Sequence, residues 1–238
     1  MRRSGRADSS ITLVALAALL AWDATGWDLA FARWYGTTAG FVWRDAWLTR
    51  SLLHDGGRWL ARALLGLLVL DAVRPAWPGP GRAERWWWIA VMLAGALLVP
   101  SIKQISTTSC PWELAEFGGV ARYVSHWQFG SVDGGPGHCF PSGHAVAAFA
   151  FFGVYFLWRP YRPVLADFSL VAVLLAGAAF GWAQLARGAH YPSHTLWSAW
   201  LCWTLCVIGD RLRPGRRIAA GAVGDSVDRL VGDEPRPC

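Results

Sequence analysis

Three groups of residues in this chain have the types and spacing to handle an anion. Pro141-Ser142-Gly143-His144 stands directly before one apolar run, Arg187, His190 and His194 stand directly before another, and Lys103 ends a third. Serine is a favoured helix N-cap, and glycine lets a ligand approach the backbone closely. Ser142 and Gly143 are therefore expected to offer amide groups at the start of a helix, where the dipole favours negative charge. His144 follows at that mouth. Pro192 suits the first turn of a helix, which puts His190 just before that turn and His194 inside it. A positive helix end keeps an imidazole neutral and hence nucleophilic. Arg187 and Lys103 supply the positive charge that a phosphate needs.

The elements that position these groups are apolar. The 238 residues are 54% hydrophobic and only 16% charged, with 17 tryptophans, several of them flanking apolar runs. The mean hydropathy is positive, at +0.29. A soluble domain carries about 25% charge, so this chain reads as an all-α integral membrane protein of one domain. Six apolar segments stand out, at about Ile11–Ala30, Trp59–Val73, Trp86–Ile102, Ala145–Trp158, Val164–Leu185 and Leu196–Ile208. A six-helix bundle over residues 1–210 is expected, with a polar, partly disordered tail over 211–238. The first segment also has the pattern of a signal peptide, but Trp22 and Asp23 intrude where a cleavage site would stand, so a retained helix is expected. The formal net charge of +6 comes almost entirely from arginines scattered between the runs, and no basic patch for nucleic acid appears. Alternate loops carry about 12 against about 6 basic residues. The positive-inside rule then puts both termini in the cytoplasm. Lys103, the 141–144 turn and the 187–194 loop thereby fall together on the outer face.

In kind and order, Lys103…Cys110-Pro111, Pro141-Ser142-Gly143-His144 and Arg187…His190…His194 resemble the three-part signature of the phosphatidic acid phosphatase type 2 superfamily. That signature reads Lys-x6-Arg-Pro, Pro-Ser-Gly-His and Ser-Arg-x5-His-x3-Asp. The resemblance covers about half the chain. It implies a membrane phosphatase that needs no cofactor or metal and acts on a lipid phosphate or diphosphate. His190 would attack phosphorus to form a phosphohistidine. His144 would serve as acid and then base, while Lys103, Ser142, Gly143 and Arg187 bind the phosphate. This chain departs from the pattern at three places. Cys110 replaces the first arginine, Ala183 and Gln184 replace the Ser-Arg pair, and His194 replaces the aspartate. Arg187 and Arg122 are candidate substitutes for the arginines, and His194, Glu113, Glu116 or Asp133 for the aspartate. A lipid phosphotransferase and a non-catalytic phospholipid-binding protein are the competing readings.

Cys110 and Cys139 lie in the same outer loop, where an oxidising compartment such as a bacterial periplasm allows a disulfide; two free thiols are the alternative. A disulfide would tie the Lys103 segment to the Pro-Ser-Gly-His turn. Cys202 and Cys206 read as buried apolar residues of the last helix. His54, His126 and His138 read as interfacial or loop histidines, and a zinc site from His126, His138 and Cys139 lacks convincing ligand spacing. The expected setting is a bacterial inner membrane with the site on the periplasmic side.

Overall fold

A computed structural model describes residues 5–128 and 130–213. Of the expected tail over 211–238, residues 211–212 continue the last helix and those from 214 onward lie outside the described residues. The chain is mainly helical. In order it forms α1 (Gly5–Thr25), α2 (Trp27–Arg33), a minimal hairpin of β1 (Gly36–Thr37) and β2 (Gly40–Phe41), and α3 (Gly57–Val73). Then follow α4 (Arg82–Ile105), α5 (Val146–Phe149), α6 (Phe152–Trp158), α7 (Pro163–Ala186) and α8 (Pro192–Leu212). Each of the six apolar segments coincides with helix. Among the described helices, α1, α4 and α7 are long and apolar enough to cross a membrane.

Three segments differ from the expected single helices. The first breaks at Gly26, whose left-handed backbone (φ 69°) separates α1 from α2. The fourth breaks between α5 and α6, where Phe151 and Val154 donate to carbonyls three residues back, Ala148 and Phe151. That tightening interrupts the regular four-residue ladder. The second is extended at its start by a wide π-helical turn, Leu48–Gly56, that runs straight into α3.

The starts and stops follow local chemistry. Pro163 and Pro192 open α7 and α8 at positions where no intrahelical N–H is needed. Glu84 sits in the first turn of α4 and Lys103 in its last, matching the helix dipole. Between α4, α5, α6 and α8 lies an aromatic core that includes Trp88, Phe149, Phe152, Phe156 and Trp203. A second core, including Phe41, Leu114, Phe117 and Tyr191, seats the hairpin and the long 106–145 segment over one end of the helices.

Ion pairs gather the opposite end. Arg159, at the end of α6, donates to Asp8 of α1 (2.7 Å) and to Asp210 of α8 (2.8 Å). Arg213 pairs with Glu84 at the start of α4. The far ends of α4 and α7 and the start of α8 therefore meet at the other end, under the 106–145 segment.

Candidate active site

Lys103 leaves the last turn of α4 half-buried, and its chain reaches toward the Pro-Ser-Gly-His turn: a Cβ added at Gly143 would lie 3.8 Å from Lys103 Cδ. Cys110 and Cys139 are joined by a disulfide with a Cα–Cα distance of 5.1 Å. The bond holds the segment after Lys103 against the residues just before Pro141. Both sulfurs lie close to His190, but a disulfide leaves no thiolate for a metal to bind.

Gly188 (φ 71°) ends α7 in the left-handed conformation that favours glycine, and a side chain there would strike the Phe41 ring. The amides of Ala189 and His190 return to the Gln184 carbonyl, at 2.8 and 3.3 Å. This closed turn fixes His190 just ahead of α8. The His190 ring is buried, with Nδ1 3.6 Å from Cys139 Sγ. Burial pushes its pKa well below the ordinary histidine value, the charges of Lys103 and His144 act the same way, and the Cys139 carbonyl opposes them. A neutral ring whose Nδ1 is turned to the disulfide leaves Nε2 with its lone pair.

Ser142 does not cap a helix. α5 begins only at Val146, the Ser142 amide donates to the His194 carbonyl at 3.0 Å, and its own carbonyl accepts from Ser198 Oγ at 2.9 Å. The turn is thus pinned to α8, and the Ser142 amide is already engaged. Gly143 does line the cavity described below. His144 Nε2 lies 3.3 Å from the Leu53 carbonyl, which can only accept, so Nε2 carries the hydrogen and Nδ1 the lone pair. Burial, with help from the neighbouring His54, lowers the His144 pKa to about 4.

The residues expected to orient His190 lie elsewhere. His194 is fully buried, its Nδ1 is 3.0 Å from the Cys139 carbonyl, and its ring centroid is 5.8 Å from that of His190. Glu113 accepts from the Cys110 amide (3.0 Å), Glu116 pairs with Arg33 (2.5 Å), and Asp133 accepts from Ser109 N (2.6 Å) and Oγ (3.0 Å). Arg122 donates to the Val132 carbonyl at 3.1 Å. Among the described residues no carboxylate hydrogen-bonds His190.

One cavity of about 310 Å³ collects Lys103, Gly143, His144, Arg187 and His190 from segments spread along the chain. The Arg187 Nε donates to the Arg44 carbonyl at 2.9 Å, which fixes the guanidinium in the cavity wall. Three further polar residues line the cavity: His54, Arg58 and Gln184. His54 comes from the π-helical turn and stacks flat on His144, centroids 4.3 Å apart and planes within 12°. Gln184 is buried, and its Nε2 has no hydrogen-bond partner among the described residues. Gln184 was visible in the sequence only as a departure from the family pattern. His54 and Arg58 sit in no motif, so only the packing of α3 against the site reveals them.

Residues 85–217 match the family model of the PAP2 superfamily. The chain belongs to the PAP2 superfamily. No curated protein and no solved structure matches it. Membership in the PAP2 superfamily makes the chain, at the coarse level, a phosphatase-type protein acting on a phosphoric ester, and the long apolar helices associate it with a membrane. The matched region contains all three motifs of the cavity and excludes His54 and Arg58. Within the PAP2 superfamily pattern, Gln184 occupies the arginine position of the third motif, and it lines this cavity. Cys110 occupies the arginine position of the first motif and instead forms the bond to Cys139.

Proposed function

We propose that this PAP2 superfamily member is an integral membrane phosphatase with six membrane-crossing segments, acting on a phosphorylated lipid at the outer face of the membrane. The observation that carries the reading is the single cavity in which His144 and His190 meet Lys103 and Arg187. Loop charge supports the orientation, because the arginine-rich ends lie at the opposite end of the helices from this cavity.

His190 Nε2 attacks phosphorus, the bond from phosphorus to the lipid oxygen breaks, and a phosphohistidine forms. With the anionic substrate bound, His144 takes up a proton on Nδ1; it gives that proton to the departing oxygen, takes one from the water that attacks the phosphohistidine, and loses it again when the product leaves. The phosphorus–nitrogen bond breaks, inorganic phosphate leaves, and both rings return to their starting state. Lys103, Arg187, the Gly143 backbone and the Gln184 amide stabilise the charge on the phosphoryl oxygens. The disulfide sulfur of Cys139 takes the place of a carboxylate beside His190 Nδ1, so the imidazolium-like state is less strongly stabilised.

The test is phosphate release from a panel of phosphorylated lipids by the purified protein in detergent with EDTA present. His190→Ala is expected to lose at least a thousandfold in kcat/KM while keeping its elution profile and thermal midpoint near the wild type. Activity that survives in that variant, or that EDTA abolishes, sinks the mechanism. In sealed vesicles, hydrolysis of substrate added only to the cytoplasmic side would reverse the orientation.

A further inference from the structure

Of the histidines that line the cavity, His54 is the one with an acid behind it. Its Nδ1 lies 2.9 Å from Asp55 Oδ1, whereas among the described residues no carboxylate hydrogen-bonds His144 or His190. An ionised carboxylate only accepts, so His54 Nδ1 carries the hydrogen and Nε2 the lone pair. His144 has the opposite arrangement, with its hydrogen on Nε2 toward the Leu53 carbonyl and its lone pair on Nδ1. Each ring therefore keeps one open nitrogen, and both rings line the same space. Both of these contacts to His144 come from one turn. Leu53 supplies the carbonyl, and His54, the next residue, supplies the ring stacked at 4.3 Å. That turn is the π-helical Leu48–Gly56. Such wide turns are rare, and they recur at functional sites. It precedes residue 85, where the family match begins, so the matched region does not include it.

Two imidazolium rings stacked this closely repel each other, so the pair holds one added proton at a time. The rings are not equal holders of it. His144 is the more deeply buried, and burial with the neighbouring His54 keeps its pKa at about 4. His54 keeps 26% of its side chain exposed, so it exchanges protons with water directly. Burial lowers the His54 pKa as well, the Asp55 hydrogen bond opposes that, and Arg187 and Arg58 add to the lowering. The other ionisable groups of the cavity are Lys103 and His190. A phosphate monoester brings a charge of about −1.5 to −2 into this cationic space. Its arrival raises the proton affinity of both rings.

Resting on the phosphatase reading above, we propose that His54, oriented by Asp55, is the relay through which the proton of the reaction reaches and leaves His144. When the phosphorylated lipid binds, His54 Nε2 takes a proton from bulk water while the Nδ1 hydrogen stays on Asp55. That proton passes through one cavity water to His144 Nδ1, and His54 Nε2 regains its lone pair. His144 gives the proton to the lipid oxygen as the phosphorus–oxygen bond breaks. In the second half, the attacking water gives one proton to His144 and its hydroxide to phosphorus. That proton returns by way of His54 to the bulk. One proton is taken up and one released in each turnover. His54 touches neither phosphorus nor the departing oxygen, so it is a positioning residue that acts through His144.

Phosphate release from phosphatidic acid and farnesyl monophosphate by the full chain in detergent, followed between about pH 6 and 9, tests this. His54→Gln and His54→Phe both keep a flat group over His144. Each is expected to lose at least tenfold in kcat, with KM within about threefold of the wild type. Asp55 is exposed, so Asp55→Asn keeps the fold while weakening the hold of His54 on its proton. The alkaline limb of its rate profile is expected to move to lower pH. Added imidazole is expected to restore part of the kcat of His54→Ala, whereas pyrazole, a ring of the same size and a much weaker base, restores none. Wild-type kcat in His54→Phe, an unmoved alkaline limb in Asp55→Asn, or equal rescue by both rings would reduce His54 to a packing contact. Any of these overturns the relay and leaves the phosphatase reading intact. No release by the wild type from either lipid or from the wider panel overturns both.

Discussion

At the scale of single residues, His144 and His190 are both kept neutral by burial beside positive charge, and this has a consequence for stability. Each has a folded-state pKa below its unfolded value, so the unfolded chain takes up protons first as pH falls. Stability is then complete above the ordinary value of 6.5 and is lost as pH drops, for His144 down to about 4. The slope is at most about 1.4 kcal/mol per pH unit for each ring, and the total for His144 is on the order of 3 kcal/mol. The thermal midpoint of the protein in detergent is expected to be level between pH 7 and 8 and to fall between pH 6.5 and 4. His144→Gln should make that fall shallower; an unchanged slope would contradict the burial argument. The two histidines were legible in the sequence because Pro-Ser-Gly-His and the Pro192 helix start surround them. Their neutrality was only partly legible. Proximity to a helix start was the expected cause for His190, yet burial does most of the work there.

At the scale of elements, the Cys110–Cys139 bond joins the end of α4 to the turn before α5 across 29 residues. Closing a loop of that length contributes ~3–4 kcal/mol in the chain-entropy model. It also places sulfur beside His190 Nδ1. Replacing both cysteines with alanine is expected to lower the thermal midpoint and to cut phosphate release by at least tenfold. A control intact-mass measurement should find the native protein lighter than the reduced one by two hydrogens. Full activity in the double variant would mean that the bond does not position the site. The sequence placed both cysteines in one loop but left two free thiols open, because pairing depends on the separation of the two backbones. The break between α5 and α6 was hidden for a related reason. An unbroken apolar run carries no signal for where a ladder tightens, and aromatic packing against neighbouring helices decides it.

At the scale of the whole molecule, Arg159 ties α1, α6 and α8 together by pairing with Asp8 and Asp210. Removing it breaks two buried ion pairs and leaves the Asp8 and Asp210 carboxylates without the Arg159 charge, a loss of about 3–5 kcal/mol. Arg159→Met is therefore expected to lower the thermal midpoint strongly while leaving the KM of the folded fraction near that of the wild type, since the site lies at the other end. Little change in stability would show that the two acids find other partners. The sequence reading took Arg159 only as a topology signal. Its two carboxylate partners lie 151 and 51 residues away, beyond any local pattern.

What the sequence determined by itself was the class of molecule and the chemistry it carries. Low charge, abundant tryptophan and six apolar runs dictate a helical membrane protein, because polar backbone must be satisfied inside an apolar phase. The three motifs supply the candidate reacting residues, because residue type sets what a side chain can donate, accept or attack. Only the tertiary structure decided which groups share one cavity. Ser142 gives its amide to α8, His194 turns to the Cys139 carbonyl, His54 and Arg58 join the site from positions that no motif covers, and Gln184 joins it from the third-motif position where the family has arginine. Those outcomes depend on how α3, α4, α7 and α8 pack, and packing is settled by contacts between residues far apart in the chain.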